Sequence, residues 1–278
     1  RDLAKVIIGK KIINIEVFDI KPVKDGVKKF KAGLNNKIIK SIDRVGKLLV
    51  VGLSGDNFLL IHLKMTGQLI YRHKNVLIEG GHSLSARPEK LPGPYTWIEW
   101  TLNNGAKLYF NDMRKFGYLK IVNAAEKDRV VAAYGPEPLT KQFTLKKFLS
   151  VLENRNAPIK ALLLNQALIA GIGNIYADEV CFEAGIFPGT RTSRLTAEQK
   201  VALFNAINKI LKKAIKYKGT TFKNYLSPHG KKGNFSDFLR VYKRDKLACF
   251  RCPTGIIANK TIAGRSSRYC LVCQKMLH

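Results

Sequence analysis

The chain has 278 residues, 46% of them hydrophobic and 25% charged. That is long enough for two domains, each with its own core, and too apolar for a disordered tail. Lys and Arg number 49 against 20 acidic residues, a formal net charge of +29 at pH 7 spread along the whole chain. A spread excess on a folded protein makes a broad positive field whose commonest partner is polyphosphate; nucleic acid is therefore the expected partner, with a ribosome-bound structural protein as the blander alternative. No run of 18 apolar residues occurs, so no membrane-spanning helix is expected.

Arg1 opens the chain inside a helical pattern, with Leu3, Val6 and Ile7 at helical spacing and Gly9 as its C-cap. Such an abrupt start leads us to expect residues upstream of Arg1. From residue 10 to about 122 the pattern is mostly strand. Residues 12–17, 47–53, 58–63, 96–102 and 107–110 are short β-branched or aromatic runs, separated by turn signals at Ser54-Gly55-Asp56-Asn57 and Asn103-Asn104-Gly105. Many short strands with tight turns predict a β-sandwich or barrel-like domain over residues 1–123. Residues 73–94, polar and containing Gly80-Gly81, read as a long loop, and residues 124–140 as a linker. From residue 141 the period changes to 3.6. Residues 144–153, 159–167, 175–184 and 196–216 read as four helices, the last opened by Thr196 as N-cap with Glu198 in its first turn. This helical domain is expected to reach residue 235 through a basic, glycine-rich loop over 219–235. Residues 236–278 form a third module, so the overall class is α+β and multidomain.

The third module carries Cys249, Cys252, Cys270 and Cys273, a C-x2-C-x17-C-x2-C array. Two close thiol pairs separated by a hairpin-length spacer suit one tetrahedral zinc; unrelated buried thiols or two disulfides are the alternatives. Zinc is favoured, as a single structural ion, and metal-bound thiols imply a reducing, cytoplasmic setting. Cys181, between Val180 and Phe182, reads as a small core residue. Residues 240–275 hold nine basic side chains and one acid, so the module stays cationic even with four thiolates and the ion. The histidines (His62, His73, His82, His229, His278) form no pair at metal spacing, so no second metal is expected.

Ile169-Ala170-Gly171-Ile172-Gly173-Asn174-Ile175-Tyr176 joins two helices through a glycine-rich turn. Amides at a helix start are a ready phosphate site, with Asn174 as the expected cap. A dinucleotide-binding reading fails, because Tyr176 occupies the third glycine position and a helix precedes the turn. Alone, this segment is more readily an ordinary helical hairpin.

In its wider context it is more specific. Residues 160–188 (KALLLNQALIAGIGNIYADEVCFEAGIFP) resemble the helix–two-turns–helix signature of the formamidopyrimidine-DNA glycosylase and endonuclease VIII family. Gly264-Arg265-Ser266-Ser267-Arg268-Tyr269-Cys270-Leu271-Val272-Cys273-Gln274 is similar to that family's zinc finger. Arg44-Val45-Gly46-Lys47-Leu48-Leu49, His62-Leu63-Lys64-Met65-Thr66-Gly67 and Asp112-Met113-Arg114-Lys115-Phe116-Gly117 match in family order.

The resemblance implies a bifunctional glycosylase and abasic-site lyase acting on damaged double-stranded DNA; a monomer is the default expectation, since the sequence carries no sign of oligomerisation. It assigns Met65, Arg114 and Phe116 to filling the space left by an everted base. Lys47, His62, Asn174 and Arg265 become phosphate contacts, Arg155 and Lys160 further backbone contacts, and Lys47 and Arg265 candidates for proton delivery during strand cleavage. The family's nucleophile is an N-terminal proline followed by glutamate. Arg1 matches the family several residues into its first helix, so that pair is expected upstream. Tyr95-Thr96-Trp97 stands where many relatives have His-x-His, and Asn165 where the family often has aspartate. The glycine-rich loop is similar to the base-capping loop of the formamidopyrimidine branch. This favours oxidised purines (8-oxoguanine, formamidopyrimidines) over oxidised pyrimidines; a non-catalytic nucleic-acid-binding relative is the other alternative.

Overall fold

The computed structural model describes residues 2–81, 90–217, 219 and 235–275. Most of the glycine-rich loop expected over 219–235, together with His82, His229 and His278, lies outside them. The described residues up to Ala132 form one compact unit and those from Ala133 onward a second.

The first unit is a sandwich of two antiparallel sheets. It opens with α1 (Asp2–Ile7), β1 (Ile12–Val17) and α2 (Val27–Leu34), followed by β2 (Ile39–Val45), β3 (Leu48–Leu53), β4 (Asn57–His62) and β5 (Gly67–His73). β6 (Val76–Gly81), β7 (Thr96–Leu102), β8 (Lys107–Asp112), β9 (Tyr118–Asn123) and α3 (Ala124–Ala132) complete it. One sheet has the order β1-β7-β8-β5-β6 and the other β2-β3-β4-β9. Alternate residues of both sheets, among them Val51, Leu59, Ile61, Leu69, Ile98, Trp100 and Phe110, form a continuous core that Phe30 and Leu34 of α2 enter from outside the strands. Burying a face of this size is what makes short strands stable.

Two expectations are corrected here. Residues 73–94 are not one loop, because β6 pairs with β5 from Gln68↔Gly81 to His73↔Val76. Residues 124–140 are not a plain linker, because Ala124–Ala132 is a helix. None of its residues is buried, so it carries no apolar stripe for a sequence pattern to reveal.

The second unit contains α4 (Leu145–Leu152), α5 (Ile159–Leu164), α6 (Asn174–Glu183), α7 (Ala197–Lys216) and a terminal hairpin of β10 (Ile257–Ile262) and β11 (Arg265–Cys270). Thr196 starts α7 with a full capping box: its side chain accepts from the Gln199 amide, and Gln199 reaches back to the Thr196 amide. Leu203, Ala206, Ile207, Ile210 and Ala214 then face the core at helical spacing. Phe148 of α4 sits at the centre, with ring centroids 6.0 Å from Phe143 and 5.8 Å from Phe204. Truncating such a ring leaves a void, so Phe148→Ala is expected to cost about 3–5 kcal/mol and lower the melting temperature of this unit in a thermal scan.

Candidate nucleic-acid interface and metal centre

In the first unit, two loops are laid side by side by one carboxylate. Asp112, fully buried at the end of β8, accepts hydrogen bonds from the Gly117 amide (2.7 Å), the Arg114 amide (3.2 Å) and the Thr66 hydroxyl. The Arg114 amide also lies 3.1 Å from the Thr66 hydroxyl oxygen. The β4–β5 and β8–β9 connections are thereby held as a pair. Met65 and Phe116 project from them and are each 49% exposed. Arg114 lies between the two, its Nη1 3.3 Å from the Met65 sulfur and its guanidinium 4.6 Å from the Phe116 ring centroid. The three residues assigned together by resemblance are therefore brought together. Two large apolar side chains in solvent beside a stacked guanidinium form an exposed patch on these loops.

Trp97, at the position with no role assigned from sequence, supports this pair of loops. Its indole N–H donates to the Asp112 carbonyl at 2.5 Å. Lys115 stacks 4.0 Å over the Trp97 ring and pairs with Asp19 at 2.6 Å.

Lys47 directly precedes β3, whose first residue, Leu48, is the register partner of His62 on β4. Lys47 is exposed in the β2–β3 turn, whereas His62 is nearly buried and stacks on Tyr118 at 5.6 Å. Burial, with the nearby Lys64 and Lys47 charges, brings the His62 pKa down to about 4. Its Nδ1 accepts from the Lys64 amide at 3.0 Å, so the neutral ring carries its proton on Nε2, as a donor suited to a phosphate oxygen.

In the second unit, Gln166 shapes the turn between α5 and α6. It accepts from the Gly171 amide (2.8 Å) and donates to the Ile172 carbonyl (2.9 Å). Gly171 adopts φ +93° there, a conformation that a side chain would strain. Gly173, not Asn174, is the N-cap of α6 and supplies no side-chain bond; Asn174 is the first helical residue. The Asn174 Oδ1 is enclosed with no hydrogen-bond partner among the described residues. An uncapped first turn leaves its amides for an external acceptor. Arg155 is exposed, and its Nε caps α4 by donating to the Val151 carbonyl at 2.9 Å.

Lys160 requires correction as a DNA-backbone contact. Its side chain has no solvent exposure, and its ammonium is used inside the unit, 2.6 Å from Asp178 and 2.7 Å from the Ser266 carbonyl. Burial pushes the Asp178 carboxyl up to about 6 against the opposing pull of Lys160, and burial lowers Lys160. Next to Asp178 on α6, Glu179 accepts from three consecutive amides, Arg240, Val241 and Tyr242, at 2.8, 3.0 and 2.9 Å. Sequence reasoning missed both carboxylates. The only signal was two adjacent acids on a helix in a strongly basic chain.

Cys249, Cys252, Cys270 and Cys273 place all four sulfurs within 4.8 Å of one another. The Cys249–Cys273 and Cys252–Cys270 sulfurs are 3.8 and 3.7 Å apart. A tetrahedral zinc with bonds of about 2.3 Å has sulfur–sulfur edges of about 3.8 Å, whereas a disulfide is about 2.05 Å. The cradle therefore fits zinc. Amides of Arg251 and Cys273 donate to the Cys249 and Cys270 sulfurs, both at 3.3 Å. Gly255 has no side chain because a Cβ there would lie 2.4 Å from one sulfur and 2.5 Å from another. Arg265 is exposed just past the hairpin turn, and its guanidinium has no partner among the described residues.

A β-sandwich with an exposed methionine–arginine–phenylalanine cluster, a helix–two-turns–helix and a four-cysteine hairpin define a class of DNA-handling architecture. The model of the formamidopyrimidine-DNA glycosylase N-terminal domain matches residues 1–119, and that of the corresponding helix–two-turns–helix domain matches residues 134–225. A formamidopyrimidine-DNA glycosylase of Pelotomaculum thermopropionicum is 36% identical over 99% of this chain and 96% of its own. Among solved structures, Lactococcus lactis Fpg bound to FAPY-dG-containing DNA aligns with a TM-score of 0.83 and 33% identity, over 99% of this chain and 97% of that one. The same protein with DNA containing an oxidised pyrimidine gives 0.83 and 33%, over 99% and 96%. The chain belongs to the formamidopyrimidine-DNA glycosylase family.

Two measurements test the site as described. Elemental analysis of the purified chain is expected to find one zinc, lost in Cys273→Ser; unchanged zinc in that variant contradicts the cradle. In an NMR titration the His62 ring is expected to protonate near pH 4. Its unfolded value is about 6.5, so the unfolded chain takes up the proton first. The stability from a neutral His62 is therefore complete above about pH 6.5 and lost as pH falls toward 4. A midpoint near 6.5 contradicts the buried, neutral assignment.

Proposed function

We propose that this chain is a base-excision DNA glycosylase that everts an oxidised purine, excises it and cleaves the resulting abasic strand. The observation that carries this reading is the Met65–Arg114–Phe116 cluster, solvent-exposed yet held in place by buried Asp112. Eversion costs a few kcal/mol of stacking. An apolar plug and an aromatic wedge recover part of that cost, while a guanidinium offers donors to the orphaned partner base. Lys47, the His62 Nε2–H, the first turn of α6, Arg155 and Arg265 supply cationic or hydrogen-bond-donating contacts to backbone phosphates. The lyase step is proposed for the chain preceded by a proline–glutamate pair, whose secondary amine would attack the sugar and form a Schiff base. Of the two basic residues proposed for cleavage, Lys47 can release a proton. An arginine stays protonated, so Arg265 acts through its charge. We propose further that the enzyme works as a monomer in the cytoplasm.

Solved complexes of the Lactococcus relative include both FAPY-dG and an oxidised pyrimidine, and the second keeps pyrimidine excision as an alternative. Borohydride trapping of the chain, extended at its N-terminus by a first-helix segment that begins with Pro-Glu, on duplexes carrying 8-oxoguanine, a formamidopyrimidine or an oxidised pyrimidine separates these readings. Efficient trapping on the two purine lesions is expected. Preference for the pyrimidine supports the alternative, and salt-sensitive binding with no trapping on any duplex supports a non-catalytic relative. Within the active extended chain, Met65→Ala or Phe116→Ala is expected to lower excision about tenfold through lost stacking. Unchanged rates in both variants remove the plug assignment.

A further inference from the structure

We infer that the Lys160–Asp178 ion pair is a positioning device for Arg265, gripping the outer edge of β11 so that the hairpin tip presents its guanidinium in one place. The inference rests on the reading of Arg265 as a phosphate-binding residue. Both charged side chains are fully buried, 2.6 Å apart. Taking two ions out of water costs several kcal/mol each, and an apolar pair of similar volume is often as stable. Stability alone therefore gives a poor account of them.

Their second contacts give a better one. The Lys160 ammonium donates to the Ser266 carbonyl at 2.7 Å, and the Arg268 amide donates to the other Asp178 oxygen at 3.1 Å. In the hairpin register, Ile262 pairs with Arg265 across the two-residue turn, and Lys260 pairs with Ser267. Antiparallel pairing then directs the main-chain groups of Arg265 and Ser267 toward β10 and those of Ser266 and Arg268 away from it. The ion pair therefore occupies the outward groups of β11, as a neighbouring strand would, and Gln274 continues the edge by accepting from the Cys270 amide at 2.8 Å. A slip of one residue would turn the wrong groups outward and break both contacts. Arg265 adjoins the gripped segment, and its side chain has no partner among the described residues. Its placement therefore comes from the backbone, and the Ser266 contact lies one residue away.

A double-mutant cycle tests this, read by fluorescence anisotropy on a duplex carrying a tetrahydrofuran abasic analogue. Lys160→Met and Arg265→Ala are each expected to weaken affinity about tenfold, and the double variant to bind within about twofold of Arg265→Ala alone. Lys160 is buried and touches no phosphate in this arrangement. Lys160→Met is nevertheless expected to reduce the slope of log affinity against log salt by about 0.9, as Arg265→Ala does. An equal loss from Lys160→Met with and without Arg265, or an unchanged slope, overturns the inference and leaves Lys160 as packing. If Arg265→Ala itself binds like wild type, the phosphate reading of Arg265 fails, a result distinct from the first. Should Lys160→Met fail to fold, the same cycle with Lys160→Met/Asp178→Leu removes both charges together, and the same outcomes decide.

Discussion

In a chain with a net charge of +29, much depends on where the few carboxylates go. Asp112, Asp178 and Glu179 are all buried, and each accepts from main-chain amides of a segment that is neither in its own helix nor across a strand ladder. Asp112 holds the amides of Arg114 and Gly117, Asp178 that of Arg268, and Glu179 those of Arg240, Val241 and Tyr242. A loop can be folded tightly only if its amides find acceptors, and a charged acceptor makes a stronger bond than a neutral one. Desolvating the carboxylate is the cost, visible in the upward pKa shifts that burial gives Asp178 and Glu179. The same arrangement keeps these anions out of the surface field, so the exterior stays attractive to polyphosphate.

The lysines divide along the same line. Lys160 is enclosed and structural, whereas Lys47 is exposed in a hairpin turn and adds to the field that keeps His62 neutral. Exposed ion pairs such as Lys209–Glu183 at 2.5 Å and Lys5–Asp2 at 3.9 Å contribute little to stability, because water and salt screen them. Charge in this protein is therefore structural where it is dry and available for recognition where it is wet.

That division explains what could be read from the amino-acid sequence. β1 and β7 were legible residue for residue, because β-branched and aromatic runs lie between strong turns. α7 was legible from its capping residue and apolar stripe. The cysteine cradle was legible from spacing, since four close thiols have few other uses. β2, β6 and α3 were not, because their mixed polar and apolar residues, hardly any of them buried, carry no one-sided apolar pattern. Met65, Arg114 and Phe116 were assigned through resemblance; by their own chemistry Met65 and Phe116 more often suit a core, and only the geometry shows them in solvent. Lys160 was misassigned as a surface contact because its partner, Asp178, is 18 residues away in sequence, and nothing local distinguishes a buried lysine from a solvated one.

The buried-carboxylate account is tested most directly by amide hydrogen exchange across residues 240–242. These residues belong to no helix or strand, and ordinarily such a segment would exchange quickly. If Glu179 holds their amides as described, they exchange as slowly as the core of α7, and Glu179→Ala releases them selectively. Rapid exchange in the unmodified, zinc-loaded chain would contradict the account.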